Sequence, residues 1–319
     1  MKTAGAKTPL EHYPALAKAI GVSDLYFKRE DLHPYGSHKG RSIPVMIDNY
    51  YKAGDRRFAI SSSGNAALAA ALYVSKLNSE HFTQVKRLNL KTESTQPIDL
   101  DIFVGNHVAP HKLEKLKKLA NDNIRILVKE RPLQALTQVV NEGMRSLRQS
   151  TDDTALIGYE SLAEELATEL EGPKKTAGAV FIGTSSGTTA QALASYFLEK
   201  TALIKNRACP QVHIVQTSSC HPISAAFGAY EGPDEKSDAD AIVDITAQRK
   251  STLIPLIKKT GGYGWFVTNE NIQAAQELVK KHARLDISTN SALSVAGAIQ
   301  AVYAGHEING PVICMICGD

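Results

Sequence analysis

Apolar residues recur along this chain in two alternating patterns. Short runs rich in β-branched and aromatic residues lie at Leu25–Lys28, Arg57–Ser61, Ile98–Val104, Ile124–Val128, Ala179–Ile182, Gln211–Thr217 and Val312–Ile316. Between them, apolar positions return at helical spacing over Ala66–Leu77, Pro110–Ala120, Pro132–Leu147, Ser161–Leu170, Thr188–Glu199, Asn269–His282 and Ser291–Tyr303. Strand-length runs that are apolar throughout, each followed by a helical stretch, mark a parallel sheet whose crossover helices cover both faces. The expected fold class is therefore α/β, with mostly parallel sheets covered by helices. Punctuation agrees: Pro110 suits a helix first turn, and Asn269 before Glu270 suits a cap.

A length of 319 residues suits about two domains of roughly 150 residues each. Polar residues without periodicity cluster at Gln149–Asp153, which suits a passage between lobes, and at Tyr230–Asp240, which suits a surface loop. No repeat of solenoid period is present. With 43% hydrophobic and 22% charged residues the chain is of ordinary globular composition, and a net charge of +3 is too small to build a nucleic-acid surface. The basic run Lys112–Lys118 reads as the wet face of an amphipathic helix. Met1–Gly5 is not followed by an apolar run, and no apolar stretch nears the ~18–20 residues needed to span a bilayer, so a soluble cytoplasmic protein with no membrane contact is expected.

The four cysteines do not form a disulfide framework. Cys314 and Cys317 make a CxxC, but within an apolar run and with no second ligand pair, so no metal is expected. His107, His111 and His221 lack ligand spacing. Tyr263, Trp265 and Phe266, following Gly261–Gly262, read as an aromatic turn whose part is packing.

Three segments carry candidate chemistry, each where an open α/β sheet presents its ligands. In Tyr35–Arg41 (YGSHKGR) a lysine, Lys39, stands between glycines at a helix start, open to approach and beside a positive helix end that disfavours a cation. In Ser61–Ala66 (SSSGNA) the hydroxyls of Ser62 and Ser63, the open backbone of Gly64 and the amides around Asn65 and Ala66 make a seat for a carboxylate. In Gly183–Thr189 (GTSSGTT) the residues Thr184, Ser185, Ser186, Gly187 and Thr188 offer small side chains and helix-end amides to a phosphate. This segment matches neither GxxxxGK[ST] nor GxGxxG, and a dinucleotide turn lacks its acidic ribose partner. An open lysine, a carboxylate seat and a phosphate seat in one chain suit pyridoxal 5'-phosphate (PLP) with an amino acid.

Those residues resemble the fold type II PLP enzymes, the tryptophan synthase beta-like family that includes threonine synthase, serine/threonine dehydratase and cysteine synthase. Phe27–Leu32 leading into Gly36–Arg41 is most similar to the threonine synthase and dehydratase form of the cofactor-lysine motif, although His38 is similar to the tryptophan synthase form. The resemblance implies a two-lobed enzyme, with residues 45–150 as a smaller lobe carrying the carboxylate loop and residues 1–44 plus 151–319 as a larger PLP-binding lobe. It implies a Schiff base on Lys39, substrate binding by Ser62, Ser63, Gly64, Asn65 and Ala66, Asn65 beside the cofactor hydroxyl, phosphate binding by Thr184–Thr188, and Cys317 against the pyridine nitrogen. It implies a homodimer.

The likeness is incomplete. The family has glycine where Thr184 and Ser186 stand, a Glu-Pro-Ser pattern where Asp286–Ala292 stands, and in many threonine synthases an aspartate where Gly40 stands. The expected activity is that of a lyase or synthase at the α and β carbons of a small amino acid, threonine synthase-like or dehydratase-like. A cysteine synthase-like replacement enzyme and a catalytically degenerate PLP-binding protein are the alternatives.

Overall fold

A computed structural model describes residues 6–88, 96–170, 177–203, 208–230, 232 and 236–318. Met1–Gly5, and residues 231 and 233–235 of the polar stretch Tyr230–Asp240, lie outside the described residues. The chain forms two compact units, one of residues 34–158 and one of residues 6–33 with 159–318. Elements are numbered along the chain.

The smaller unit holds a four-stranded sheet in the order β5-β4-β3-β6, all parallel, from β3 (Arg57–Ser61), β4 (Asp99–Gly105), β5 (Ile124–Lys129) and β6 (Arg145–Ser146). Phe58, Ile60, Leu100, Ile102 and Val104 share one buried cluster with α2 (Lys39–Lys52) and α3 (Asn65–Leu88). Ala59 and Phe103, at the alternate positions, pack with Leu136 of α5 (Pro132–Asn141). Burial on both faces explains why these strands read as unbroken apolar runs.

Residues 34–44 and 151–158 belong to this unit, whereas the sequence placed them with the larger lobe. Ile43, Met46, Ile47 and Ala155 are fully buried in the smaller unit's core, and that burial moves the boundary. Lys39 is therefore carried by the smaller unit.

The larger unit holds a six-stranded sheet, β1-β2-β10-β7-β8-β9. Its strands are β1 (Leu10–His12), β2 (Leu25–Arg29), β7 (Ala179–Gly183), β8 (Gln211–Thr217), β9 (Gly264–Val267) and β10 (Val312–Ile316), and only the edge strand β1 runs antiparallel. Helices α1 (Pro14–Ile20), α6 (Thr154–Glu169), α7 (Thr188–Leu203), α8 (Lys250–Lys259), α9 (Asn269–Ala283) and α10 (Thr289–Tyr303) complete the order, with α4 (Pro110–Lys117) in the smaller unit. Helix α10 lies so close to the sheet that a Cβ on Gly297 would come within 2.3 Å of Val215 Cγ2, so glycine is needed at that point of the contact. Among the described residues no helix is long and apolar enough to cross a membrane.

Several elements differ from the sequence expectation. The expected aromatic turn is strand β9, because glycine at 262 lets the chain run against β8: a Cβ there would lie 1.9 Å from the Val212 carbonyl oxygen. Helix α2 starts at Lys39 as expected and continues through Pro44, whereas α8, with Pro255 inside it, has no counterpart among the expected helical stretches. Pro132–Leu147 divides into α5 and β6 at Gly143, whose φ of +93° ends the helix.

Two polar side chains inside the larger unit, Lys28 and His213, show how its buried groups are matched. Lys28, fully buried on β2, pairs with Glu165 at 2.8 Å and Glu169 at 2.7 Å on α6. His213 on β8 stacks on Phe181 at 4.4 Å between centroids, and its Nδ1 accepts from Trp265 Nε1 at 3.1 Å and from the Tyr263 amide at 3.2 Å. Accepting at Nδ1 leaves the proton on Nε2, which lies 3.1 Å from Gln211 Oε1. Burial first, and the neighbouring His306 second, push His213 down to about 3.

A histidine that stays neutral when folded but binds a proton when unfolded removes stability as pH falls below the unfolded value of 6.5. The loss from this residue runs at up to ~1.4 kcal/mol per pH unit and levels off near the folded value. Urea titrations between pH 6 and pH 4 are expected to show an acid-dependent loss that becomes shallower by about one proton in His213→Gln. An unchanged slope in that variant would exclude His213 as a source of acid sensitivity.

Candidate active site

In the smaller unit the turn Pro34–His38 leads into Lys39, the first residue of α2. Gly36 adopts a φ of +76° in that turn, and the Ser37 hydroxyl accepts from the Lys39 amide at 3.3 Å. The Lys39 side chain is half-buried, and its Nζ has no ion pair or hydrogen bond among the described residues. Such an amine is free to react.

Strand β3 ends at Ser61, and the chain turns through Ser62–Gly64 into α3. The Ser62 amide donates to the Phe103 carbonyl at 3.2 Å, and the Ser62 hydroxyl accepts from the Gly64 amide at 3.3 Å. Among the described residues the amides of Ser63, Asn65 and Ala66 have no partner, and a Cβ added to Gly64 would meet nothing within 4 Å. Three unpaired donors at the start of a long helix form an open seat for a carboxylate.

The lysine turn and the carboxylate seat are neighbours. A Cβ on Gly36 would lie 3.6 Å from Leu68, one turn into α3 beyond Asn65. Tyr35 meets Tyr73 of α3 edge-on at 5.8 Å, and Tyr73 donates to Asp48 of α2 at 2.5 Å. Asp48 and Tyr73 were not identified from sequence; both are unremarkable in type, and only their apposition across two helices gives them the role of fixing α2 against α3.

The larger unit carries the second group. Strand β7 ends at Gly183, and the loop Thr184–Gly187 leads into α7 at Thr188. Thr184 turns its hydroxyl back onto the Ile182 carbonyl at 2.9 Å, while its amide donates to Val215 at 2.8 Å. That geometry explains how threonine replaces the family's glycine: its side chain is bonded to its own strand and is 3% exposed. The Ser186 and Thr188 hydroxyls lie 3.0 Å apart, and the Ser185 hydroxyl accepts from Val243 and Asp244.

Among the described residues the amides of Ser185, Ser186 and Gly187 have no partner. They converge before a 16-residue helix, whose positive end favours an anion. Gly187 is required on two counts, a φ of +85° and a Cβ position only 2.6 Å from Leu253 Cδ2. Gln216, fully buried on β8, holds this edge: its Nε2 donates to the Thr184 carbonyl at 3.2 Å, and its Oε1 accepts from Ile223 and Ser224. Its signal in the sequence is an amide side chain inside the apolar run Gln211–Thr217.

Cys317 follows β10, which lies beside β7 with Cys314 paired to Phe181. Three residues past that pair the two strands reach Cys317 and Thr184, so the cysteine and the phosphate-type loop share one carboxyl edge of the sheet. Cys317 is buried, and the next carbonyl, of Gly318, accepts from Ser288 at 2.9 Å and Ser291 at 3.3 Å, at the start of α10. The substituted segment Asp286–Ala292 is thus a serine-capped helix start. Cys314 is wholly enclosed, its thiol pushed far up by burial. Among the described residues no group of three or more His, Cys, Asp or Glu side chains is arranged to hold a metal ion. His107 and His111 are exposed, His221 lies 3.1 Å from the Thr217 carbonyl, and Trp265 is a core residue.

Parallel sheets with helix-end amides unpaired at their carboxyl edges, and an unpaired lysine beside one such edge, are the arrangement in which open α/β folds present their ligand sites. A family model described as pyridoxal-phosphate dependent enzyme matches residues 1–318, and the chain belongs to that family. Its cofactor is PLP. The amides and the glycine of the 184–188 loop fit the cofactor's phosphate, and the Lys39 amine fits its aldehyde.

Among similar proteins, a threonine synthase of Methanocaldococcus jannaschii is 24% identical over 98% of this chain and 74% of its own length. A PLP-dependent aspartate racemase matches with a TM-score of 0.74 and 20% identity, over 98% of this chain and 90% of that one. The processed form of threonine deaminase isoform 2 from Solanum lycopersicum matches with a TM-score of 0.71 and 20% identity, over 98% of this chain and 79% of that one. The solved structures share the fold class of parallel sheets covered by helices.

Gly187→Ala is expected to destabilise the protein by at least ~1–2 kcal/mol, the cost of a side chain in the left-handed region, with the Leu253 clash in addition. Urea unfolding measures it, and a double-mutant cycle with Leu253→Ala isolates the clash, since the two changes together should cost less than the sum of their separate costs. A Gly187→Ala protein as stable as the parent would refute the assignment.

Proposed function

We propose that this protein is a PLP-dependent lyase or synthase acting at the α and β carbons of a small amino acid, threonine synthase-like or serine/threonine dehydratase-like. The observation that carries the reading is the pairing, within one unit, of an uncommitted lysine amine and a set of unpaired helix-end amides at the starts of adjoining helices.

Lys39 tethers the cofactor's aldehyde through Nζ, and the amides of Ser185, Ser186 and Gly187 with the Ser186 and Thr188 hydroxyls hold its phosphate. Thr184 shapes the loop. The segment Ser62–Ala66 holds the substrate carboxylate, with Asn65 beside the cofactor's hydroxyl. When bound, PLP supplies an electron sink for the charge left at the α-carbon. The Lys39 amine would be the base for the α proton, taking it at Nζ. Cys317 would stand against the cofactor's pyridine nitrogen, where a thiol in place of a carboxylate would keep the sink modest and favour loss of a β substituent over reprotonation.

The names of the similar proteins support this chemistry and mark its range: a threonine synthase, a threonine deaminase and an aspartate racemase are each named for an amino acid. A cysteine synthase-like replacement is the second reading, supported by a likeness to an O-acetylserine dependent cystathionine beta-synthase from Helicobacter pylori, TM-score 0.72. The proposed enzyme is a cytoplasmic homodimer, which sedimentation of the purified protein tests.

Purified protein is expected to show the visible absorption of lysine-bound PLP, and titration with serine, threonine, O-acetylserine, O-phosphohomoserine and aspartate should alter that band with the true substrate. Lys39→Ala should lose both band and turnover while keeping its circular dichroism. A fully active Lys39→Ala protein would remove the proposal, and bound PLP with no turnover of any of these would make the chain a degenerate binding protein.

A further inference from the structure

The segment Lys236–Arg249 is tied at its two ends by different elements. Asn269, at the start of α9, donates to the Lys236 carbonyl at 2.9 Å and accepts from the Asp238 amide at 2.8 Å. Thr289 and Asn290, at the start of α10, hold the Asp238 carbonyl at 2.9 Å and the Ala241 amide at 3.0 Å, and Ala239 and Ile242 are buried in the core. At the other end Ala247 is fully buried, and Arg249 donates to Gln191 on α7 at 3.3 Å. The tip between these anchors has no such burial: Val243 is 69% and Ile245 78% exposed.

One side chain holds that tip. The Ser185 hydroxyl accepts from the Val243 amide at 3.2 Å and from the Asp244 amide at 3.3 Å. A hydroxyl that accepts twice still has its proton to donate. Ser185 stands in the loop whose own amides are unpaired, so an anion seated there lies within reach of that proton. A hydroxyl that donates becomes a stronger acceptor. The same segment returns beneath the loop, with Arg249 Cβ 3.9 Å from the Cβ position of Gly187.

We propose that Ser185 is a positioning residue that couples the anion loop to the 243–245 tip, so that filling the loop with phosphate orders the tip. The inference rests on the reading of Ser185–Thr188 as an anion seat. By linkage, a tip held in place also strengthens anion binding to the same extent. The hydroxyl is the joint: one oxygen faces two amides on the strap side and offers one proton on the loop side.

Hydrogen exchange of the Val243, Asp244 and Ile245 amides, followed in the full chain freed of PLP, with and without inorganic phosphate, tests this. Phosphate should slow exchange at Val243 and Asp244 in the parent protein. In Ser185→Ala the two amides should exchange about tenfold faster or more without phosphate and no longer respond to it, while the buried stretch of α10 exchanges as before. Ser185→Thr, which keeps the hydroxyl, should restore both behaviours; a role in packing alone would not be restored in this way. Phosphate affinity measured by calorimetry separates the two ways of failing. Phosphate that binds without slowing the tip overturns the coupling alone, and phosphate that does not bind overturns the anion seat together with the coupling.

Discussion

A parallel strand can be followed by another only after a crossover, and each crossover helix begins above the carboxyl edge of the sheet with its first amides unpaired. Both candidate seats descend from that constraint. β3 hands over to α3 at Ser62–Gly64, and β7 hands over to α7 at Thr184–Gly187. Most strand–helix turns in such a fold satisfy their amides with a cap. These two leave theirs open, and each has a glycine where a side chain would obstruct an approaching ligand or a neighbouring one.

The polar residues inside the sheets keep those edges in place. Gln216 spans from the Thr184 carbonyl to the amides of Ile223 and Ser224, so one buried amide sets the height of the anion loop. His213, at the opposite end of the same strand, collects the Trp265 and Tyr263 donors. Lys28 offsets two carboxylates of α6 from within β2. Each of these groups would be costly if unpaired, and each is matched from another element, so the polar positions select one arrangement of helices where apolar packing alone would accept several.

Reactions diverge on this scaffold while the scaffold persists. Similar folds carry the names of a synthase, a deaminase and a racemase, so fold alone does not assign the reaction. The departures in this chain fall where they change the surroundings of a seat rather than the seat itself. Thr184 bonds its own strand and leaves the loop amides exposed, and Ser288 caps α10 while holding the Gly318 carbonyl. The backbone donors survive both substitutions, because amides do not depend on the side chain that carries them.

The alternation of apolar runs and helical spacing determined the α/β class, the positions of most strands and the three ligand-type turns, since each depends on local periodicity and on residue types that favour helix ends. Periodicity failed at Pro44 and Pro255, where tertiary packing keeps a helix going past a residue that breaks isolated ones, and at Trp265, where a close-packed Gly262 turns an aromatic patch into a strand. Burial of Ile43, Met46 and Ile47 decided that Lys39 belongs to the smaller unit. The roles of Asp48 with Tyr73 and of Ser185 with Val243 are likewise tertiary: each joins segments distant in the chain through directional hydrogen bonds, and such bonds have no counterpart in local sequence.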